Sequence, residues 1–173
     1  MTNIYEHLKN REFDLSVHHA WLNDEINVAT FPLWNLSGQM VGYQQYRPYA
    51  DKKKNNPHDA KYFTRLKEGK VGVWGLESWH FTDTLFLTEG VFDATKLTSK
   101  KVSCIAVLSN DLSLTLRKWL WLIRKQRKVV AVCDNDAAGR RLARYGHLFH
   151  IIEEGDLGEA SEQYVYDLIR SYK

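Results

Sequence analysis

Short apolar runs alternate with amphipathic stretches along the second half of the chain. Runs rich in β-branched and large apolar residues predict strands over 84–88, 103–108, 129–133 and 147–152. Stretches with apolar residues every three or four positions predict helices over 92–99, 112–125, 137–145 and 161–172. This alternation is typical of βαβ units around a parallel sheet, so the fold class is α/β.

The first half of the chain has a different pattern. It predicts a short helix over 4–10 and two strands, over 28–34 and 39–46, joined by a turn into a β-hairpin. From 49 to 70 the chain turns polar and basic, and the lysine run at 52–54 predicts a flexible, solvated loop. The change of pattern divides the chain into an N-terminal subdomain over 1–80 and a second domain over 81–173.

Composition excludes several classes of protein. The 173 residues, 44% of them hydrophobic, suffice for one compact domain with a small subdomain, and the net charge of +3 alone does not indicate a nucleic-acid partner. Cys104 and Cys133 lie in separate apolar runs and form no CxxC pair, which argues against a zinc ribbon or a disulfide framework. No apolar run approaches membrane-spanning length, so we expect a soluble, cytoplasmic protein with no membrane partner.

The last long helix before residue 129 carries basic residues beside an apolar stripe. Its core-facing positions are Leu112, Leu116, Trp119, Leu120 and Ile123. Six basic residues lie elsewhere along it: Arg117, Lys118, Arg124, Lys125, Arg127 and Lys128. They are either a solvated helix face or a phosphate-binding surface.

Acidic residues follow two of the predicted strands. Glu89 comes directly after LFLT and before Gly90, and Asp93 lies one turn into the next helix. Asp134 and Asp136 follow VVAVC. Ligands of an open parallel sheet gather at the carboxyl ends of its strands, and a small carboxylate cluster suits Mg²⁺, with Mn²⁺ as an alternative. One such acid alone would be read as a helix cap or a solvated loop residue, but the set favours a metal site.

The segments LFLTEGVFDATKL and VVAVCDNDAAGRRLA resemble the two signature motifs of the Toprim family. The upstream segments FPLWNLSGQMVGYQQYRP, AKYFTR and VWGL resemble the basic subdomain that precedes Toprim in the bacterial, DnaG-like DNA primases. The resemblance covers roughly residues 28–160. It implies a Toprim-type parallel sheet flanked by helices, after a small N-terminal basic α+β subdomain.

The resemblance also assigns roles to individual residues. Catalysis would fall to Glu89, Asp93, Asp134 and Asp136. Contacts to template or nucleotide would come from Arg47, Lys61 and Tyr62; Arg65 in the same segment and Arg140 after the second motif are further phosphate-binding candidates. Primases place another acidic pair after the next strand, where EEGDLGEAS offers Asp156 but Gly158 in place of the second acid. The expected metal ligands are Glu89, Asp134, Asp136 and Asp156.

These features favour a primase that makes short RNA primers on single-stranded DNA from ribonucleoside triphosphates. The chain lacks the family's zinc-binding and helicase domains, which implies a replicative helicase or a separate zinc-binding protein as partner. Its small size suggests a minimal primase core of a phage or mobile element, acting in the host bacterial cytoplasm if phage-encoded. Two alternatives remain open: a Toprim nuclease that cleaves DNA or RNA, and a catalytically inactive replisome or nucleic-acid-binding adaptor.

Overall fold

A computed structural model describes residues 2–109 and 111–173. The chain forms two compact units, Met1–Gly72 and Val73–Lys173. The boundary predicted from the sequence, between residues 80 and 81, lies eight residues later. Trp74 joins the second unit because it pairs with Ala106 through two backbone hydrogen bonds of 3.0 Å. Ser78 strengthens that attachment, since its hydroxyl donates to the carbonyl of Cys104 at 2.8 Å.

The first unit is a helix and an antiparallel sheet. Helix α1 (Ile4–Asn10) begins at Asn3, whose side chain accepts a hydrogen bond from Glu6 N. The four strands pair in chain order: β1 (Trp21–Asn23), β2 (Val28–Trp34), β3 (Met40–Tyr46) and β4 (Tyr62–Leu66). The predicted β2–β3 hairpin is confirmed. Its turn forms because Asn35 Oδ1 accepts from Ser37 N and Gln39 N while Gly38 takes a φ of +74°.

Strand β4 lies in the segment that the sequence marked only as polar and basic. Every residue of β4 except Phe63 is exposed, so the segment lacks the alternation that predicts a half-buried strand. It is a strand because it pairs with β3 in register, Tyr43 opposite Arg65 and Tyr46 opposite Tyr62. The lysine run at 52–54 is exposed and lies outside any regular element, so the prediction of a solvated loop there is confirmed.

The second unit is a parallel sheet flanked by helices, which confirms the predicted fold class. Its strands are β5 (Leu85–Thr88), β6 (Ser103–Ala106), β7 (Val129–Asp134) and β8 (Leu148–Ile152), in the order β6-β5-β7-β8. Its helices are α2 (Val91–Thr98), α3 (Leu114–Arg124), α4 (Ala137–Ala143) and α5 (Glu162–Ser171). All residues of β5 and β6 are buried, which explains why only Thr88 and Ser103 among them are polar. Among the described residues, no helix has the length and apolar character to cross a membrane.

Strands β5 and β7 are parallel neighbours at the centre of this sheet, with Leu87 opposite Ala131. Their carboxyl ends therefore lie side by side at the same end of the sheet.

At the opposite end of the sheet, where the strands begin, the guanidinium of Arg127 donates to the carbonyl oxygens of Trp79 (2.8 Å), Asp83 (3.0 Å) and Thr82. Arg127 thus fastens the chain before β5 to the chain before β7. The sequence predicts that Arg127 is either a solvated or a phosphate-binding residue. In the structure its guanidinium instead binds backbone carbonyls of the same unit.

Candidate active site

Three of the predicted acids line one cavity at the carboxyl edge of the parallel sheet. Glu89, Asp93 and Asp134 surround a space of about 10 Å³, together with Cys133 and Gly139. A cavity of this size holds about one water molecule. The two sequence motifs therefore meet in space, as expected for acids that follow neighbouring parallel strands.

The backbone at the two strand ends holds these acids in place. Glu89 follows β5, and its carbonyl accepts a hydrogen bond of 2.8 Å from Leu108 N. Asp134 ends β7, and helix α4 packs so closely above it that a Cβ on Gly139 would lie 2.1 Å from the Asp134 carbonyl oxygen. Glycine at position 139 is required for this close approach. The glycine of the DNDAAG run thus allows the first turn of α4 to pack directly against the backbone of Asp134.

Asp93 is the acid most changed by its surroundings. It lies in the first turn of α2 and accepts hydrogen bonds from Gly158 N, at 3.0 Å, and from Gly90 N. Burial nevertheless raises the pKa of Asp93 to about 7, and the negative charges of Asp156 and Asp134 add to the effect. A carboxyl with this pKa exchanges a proton near neutral pH.

Asp136 and Asp156 each cap a helical turn. Asp136 is the N-cap of α4, where its Oδ1 accepts from Gly139 N at 2.7 Å. Asp156 begins the 3-10 turn Leu157–Glu159, and its Oδ1 accepts from Glu159 N at 3.0 Å. In each residue one carboxylate oxygen is engaged by the backbone, so the second oxygen is the one available to a ligand.

The charges of the cluster act on Cys133. Burial raises the pKa of the Cys133 thiol to about 12, and Asp134, Glu89 and Asp136 raise it further by repelling a thiolate. Cys133 is therefore an uncharged wall of the cavity. Glu89 and Asp134 line the cavity with Cys133, whereas Asp136 acts on the thiol through its charge without lining the cavity.

The carboxylate oxygens of the cavity are of the type that a hard divalent cation prefers, although they do not form a complete coordination shell. Within residues 2–109 and 111–173, no three His, Cys, Asp or Glu side chains converge closely enough to hold a metal by themselves. Mg²⁺ does not require such a cage, because it is usually bound by one or two carboxylates and completes its shell with waters and substrate phosphates. Glu89 and Asp134, on one cavity and with oxygen donors only, fit that mode of binding.

Arg140 lies on the exposed side of α4, one turn after Asp136. Its backbone N donates to the Asp136 carbonyl at 3.1 Å, and its Nη2 lies 3.5 Å from Asn135 Oδ1. The guanidinium is thus close to the DNDAAG loop without lining the acidic cavity. Its predicted contact with nucleotide phosphate stays a prediction.

The candidate contacts of the first unit divide between the two faces of its sheet. Arg47 Nη2 donates to Gln45 Oε1 at 2.9 Å, and Arg65 pairs with Tyr43, so both arginines project from one face. The ring of Tyr62 lies 5.2 Å from that of Tyr46 on the other face.

Arg47 and Lys61 are adjacent at one end of the β3–β4 pair. Arg47 N donates to the Lys61 carbonyl at 2.9 Å. Arg47 Nη1 is buried and makes no hydrogen bond within the described residues, which is a cost that few buried polar groups carry. Tyr62 lies on the face opposite to that of Arg65, because its register partner is Tyr46 and that of Arg65 is Tyr43.

Sequence reasoning missed the part that Gly158 plays. The sequence pattern shows only that an expected acid is absent at position 158. In the structure the backbone N–H of Gly158 donates a hydrogen bond to Asp93. A side-chain pattern carries no signal for a backbone donor, so this contact had to come from the fold.

Comparisons by sequence alone find no matching family model and no matching curated protein. The fold, by contrast, is similar to solved primase structures. A DnaG primase catalytic domain bound to single-stranded DNA superposes with a TM-score of 0.62 at 18% identity, covering 94% of this chain and 61% of that one. The primase fragment of the bacteriophage T7 primase-helicase has a TM-score of 0.66 at 14% identity, covering 91% and 68%.

A third similar structure contains the zinc-binding and RNA polymerase domains of the Aquifex aeolicus primase. It has a TM-score of 0.59 at 20% identity and covers 97% of this chain and 47% of that one. The chain therefore spans about half to two-thirds of the primase structures that it matches. With its helix-flanked parallel sheet of four strands, it has the fold of DnaG-type primase catalytic cores.

Proposed function

We propose that this chain is a DNA primase-type nucleotidyltransferase that makes short RNA primers on single-stranded DNA from ribonucleoside triphosphates. The observation that carries the proposal is the meeting of Glu89, Asp93 and Asp134 on one cavity, where the carboxyl ends of two parallel strands open together. The similarity of fold to primase catalytic cores supports the same reading.

In this proposal Glu89, Asp134 and the second oxygen of Asp136 hold Mg²⁺, or Mn²⁺, and Asp156 is a further ligand. The metal would neutralise charge on the triphosphate during nucleotidyl transfer. The caps at Asp136 and Asp156 fix the direction of each carboxylate before any ligand binds. Asp93, bonded to Gly158 N, holds a proton near neutral pH and orders the turn that carries Asp156.

The first unit would bind the template or the incoming nucleotide. Arg47, Lys61 and Arg65 are the proposed phosphate contacts, Tyr62 the stacking contact, and Arg140 a phosphate contact beside the acids. A replicative helicase or a separate zinc-binding protein is the proposed partner for template selection. A minimal primase of a phage or mobile element, working in the bacterial cytoplasm, is the proposed biological setting.

A primer-synthesis gel tests the function. Wild type, Glu89→Gln and the exposed control Glu154→Gln are incubated with single-stranded DNA, Mg²⁺ or Mn²⁺, and labelled ribonucleotides, or with labelled DNA and no ribonucleotides. We expect short RNA products from wild type and control only, because Glu89→Gln removes one negative charge from the cluster and leaves DNA binding intact. Cutting of DNA without triphosphates, lost in Glu89→Gln, would identify a nuclease instead. Metal binding with neither product would indicate the adaptor.

A further inference from the structure

Helix α3 exposes large apolar side chains on the side that faces away from the core. Its buried residues, Leu116, Leu120 and Ile123, form one stripe. Leu114 and Trp121 lie on the opposite stripe and are 68% and 57% exposed, and Leu122 beside them is 52% exposed. A single exposed apolar residue is ordinary, but three on two turns of one helix form a patch.

Lysines occupy the positions between these apolar residues. Lys118 and Lys125 share the outer stripe with Leu114 and Trp121, because all four recur at helical spacing. Both lysines are exposed. The Nζ of Lys125 lies 3.5 Å from the centre of the Trp121 ring, which presents the ammonium and the indole side by side. The outer α3 face, as defined here, consists of Leu114, Lys118, Trp121, Leu122 and Lys125.

No acidic residue balances this charge along the helix. The sequence from Leu112 to Cys133 contains no Asp or Glu. The nearest carboxylate before it, Asp111, is bonded to Arg117 at 3.2 Å. The outer α3 face therefore combines apolar contact area with unbalanced positive charge.

We propose that the outer α3 face is a docking surface for an acidic, amphipathic segment of a partner protein. Leu114 and Trp121 lie about 10 Å apart along the axis, the rise of seven helical residues, which matches apolar side chains two turns apart on a partner helix. Asp or Glu residues on that segment would meet Lys118 and Lys125. Trp121 would be the anchor, since buried tryptophans dominate the binding energy of such interfaces.

Other occupants fit the outer α3 face less well. A second copy of the chain would bring lysines against lysines. Single-stranded DNA binds by stacking bases on open aromatic faces, whereas Lys125 covers one face of the only exposed ring here and both leucines offer no stacking surface. A bilayer requires a continuous apolar face, and the lysines interrupt this one.

A displayed library of random peptides, selected on the wild-type protein with a Leu114→Ala/Trp121→Ala competitor, tests the proposal. We expect enriched peptides to combine Asp or Glu with Leu, Phe or Trp. Their affinity, measured by fluorescence anisotropy, should fall about tenfold or more in Leu114→Ala/Trp121→Ala and in Lys118→Glu/Lys125→Glu. The control Lys52→Glu/Lys53→Glu makes the same charge change on exposed residues of the first unit, and its affinity should stay within about twofold.

All of these residues are exposed, so each variant should have the same melting temperature as the wild type when thermal unfolding is followed by circular dichroism. Failure to enrich peptides, enrichment of peptides without acidic residues, or equal binding to the outer-face variants would overturn the proposal. Single-stranded DNA, vesicles of anionic lipid, and sedimentation equilibrium are the other arms of the experiment. Binding or dimerisation in one of them that is lost in the outer-face variants would replace the peptide with that occupant.

Discussion

Gly158 donates its backbone N–H to the carboxylate of Asp93 at 3.0 Å, across 65 residues of sequence. The bond joins the first turn of α2 to the 3-10 turn that begins at Asp156. A position that the family resemblance assigns to an acid is therefore occupied here by a backbone donor to a different acid. The resemblance implies two carboxylates in this turn. The chain has one carboxylate there, Asp156, and a backbone N–H, that of Gly158, which binds Asp93.

The raised pKa of Asp93 predicts a specific dependence of stability on pH. Its pKa is about 7 in the fold, against 3.8 for the free side chain. Between these values the unfolded chain loses the proton while the fold keeps it, so the contribution of Asp93 to stability falls as pH rises through that window and is constant above it. Asp93→Asn keeps an acceptor for Gly158 and removes this contribution.

The free energy of unfolding of Asp93→Asn, relative to wild type, should therefore rise from about pH 4 to about pH 7 and then level off. Urea unfolding at a series of pH values, with a chelator present, measures it. The exposed Asp167→Asn variant controls for the loss of one negative charge. A difference between Asp93→Asn and wild type that is constant with pH would show that Asp93 has the same pKa in both states.

Asp136 should contribute to stability as well as to the proposed metal site. Its Oδ1 caps α4 through Gly139 N, so Asp136→Ala should lower the free energy of unfolding by about 1 kcal/mol. Asp136→Asn keeps the capping oxygen and should lose much less stability, while both variants remove the negative charge that the proposed metal site would use. Chemical denaturation without metal compares the two. Equal stabilities would mean that the cap contributes nothing.

Gly139→Ala should reverse the usual effect of this substitution. Alanine in a helix is normally about 1 kcal/mol better than glycine. Here the new Cβ would lie 2.1 Å from the Asp134 carbonyl oxygen, so α4 or the end of β7 must move. We expect a loss of stability together with weaker metal binding, measured by denaturation and by calorimetric titration of Mg²⁺. A gain of stability would show that the close approach is absent in solution.

Arg127 should be a stability residue with no part in catalysis. Its guanidinium binds three backbone carbonyls and lies 4.6 Å from the Trp79 ring, at the edge of the sheet opposite the acids. Arg127→Ala should lower the free energy of unfolding by about 3 kcal/mol. Arg127→Lys should lower it nearly as much, because an ammonium lacks the planar set of donors with which the guanidinium binds several carbonyls at once. Lys128→Ala, which removes one exposed bond to Tyr172 O, is the control. Loss of activity without loss of stability would contradict this role.

The sequence predicted those parts of the molecule in which burial is complete or strictly periodic. β5 and β7 were found because their residues are apolar up to Thr88 and Asp134 at their carboxyl ends, and these neighbouring ends bring Glu89 and Asp134 together. β1 and β4 were missed because their exposed residues carry no pattern, and only pairing with β2 and β3 makes them strands.

Within the site, the acids could be predicted from their place after the strands, but their partners could not. Asp136 was read as a metal ligand, and its capping bond to Gly139 depends on the start of α4, which the sequence fixes only to within a residue or two. The bond of Asp93 depends on where a distant turn folds back. Contacts between a side chain and a remote backbone leave no periodic trace.

The basic residues of the first unit should bind single-stranded nucleic acid through phosphates at separate points. Arg47 has a buried Nη1 with no hydrogen bond inside the described residues, and Lys61 and Arg65 lie about 13 Å apart along β4 at the rise of an extended strand. Replacing all three with alanine should lower the slope of log affinity against log salt by about 2, because each phosphate contact on a single strand accounts for about 0.7. Fluorescence anisotropy with labelled single-stranded DNA at several salt concentrations measures the slope. Lys52 and Lys53, replaced together, remove positive charge from an exposed loop and should leave the slope nearly unchanged. Tyr62→Ala should weaken binding without altering the slope, since its ring lies on the other face and carries no charge. If the loop variant lowers the slope as much as the triple variant of Arg47, Lys61 and Arg65, the attraction is a diffuse effect of net charge and these three residues form no binding site.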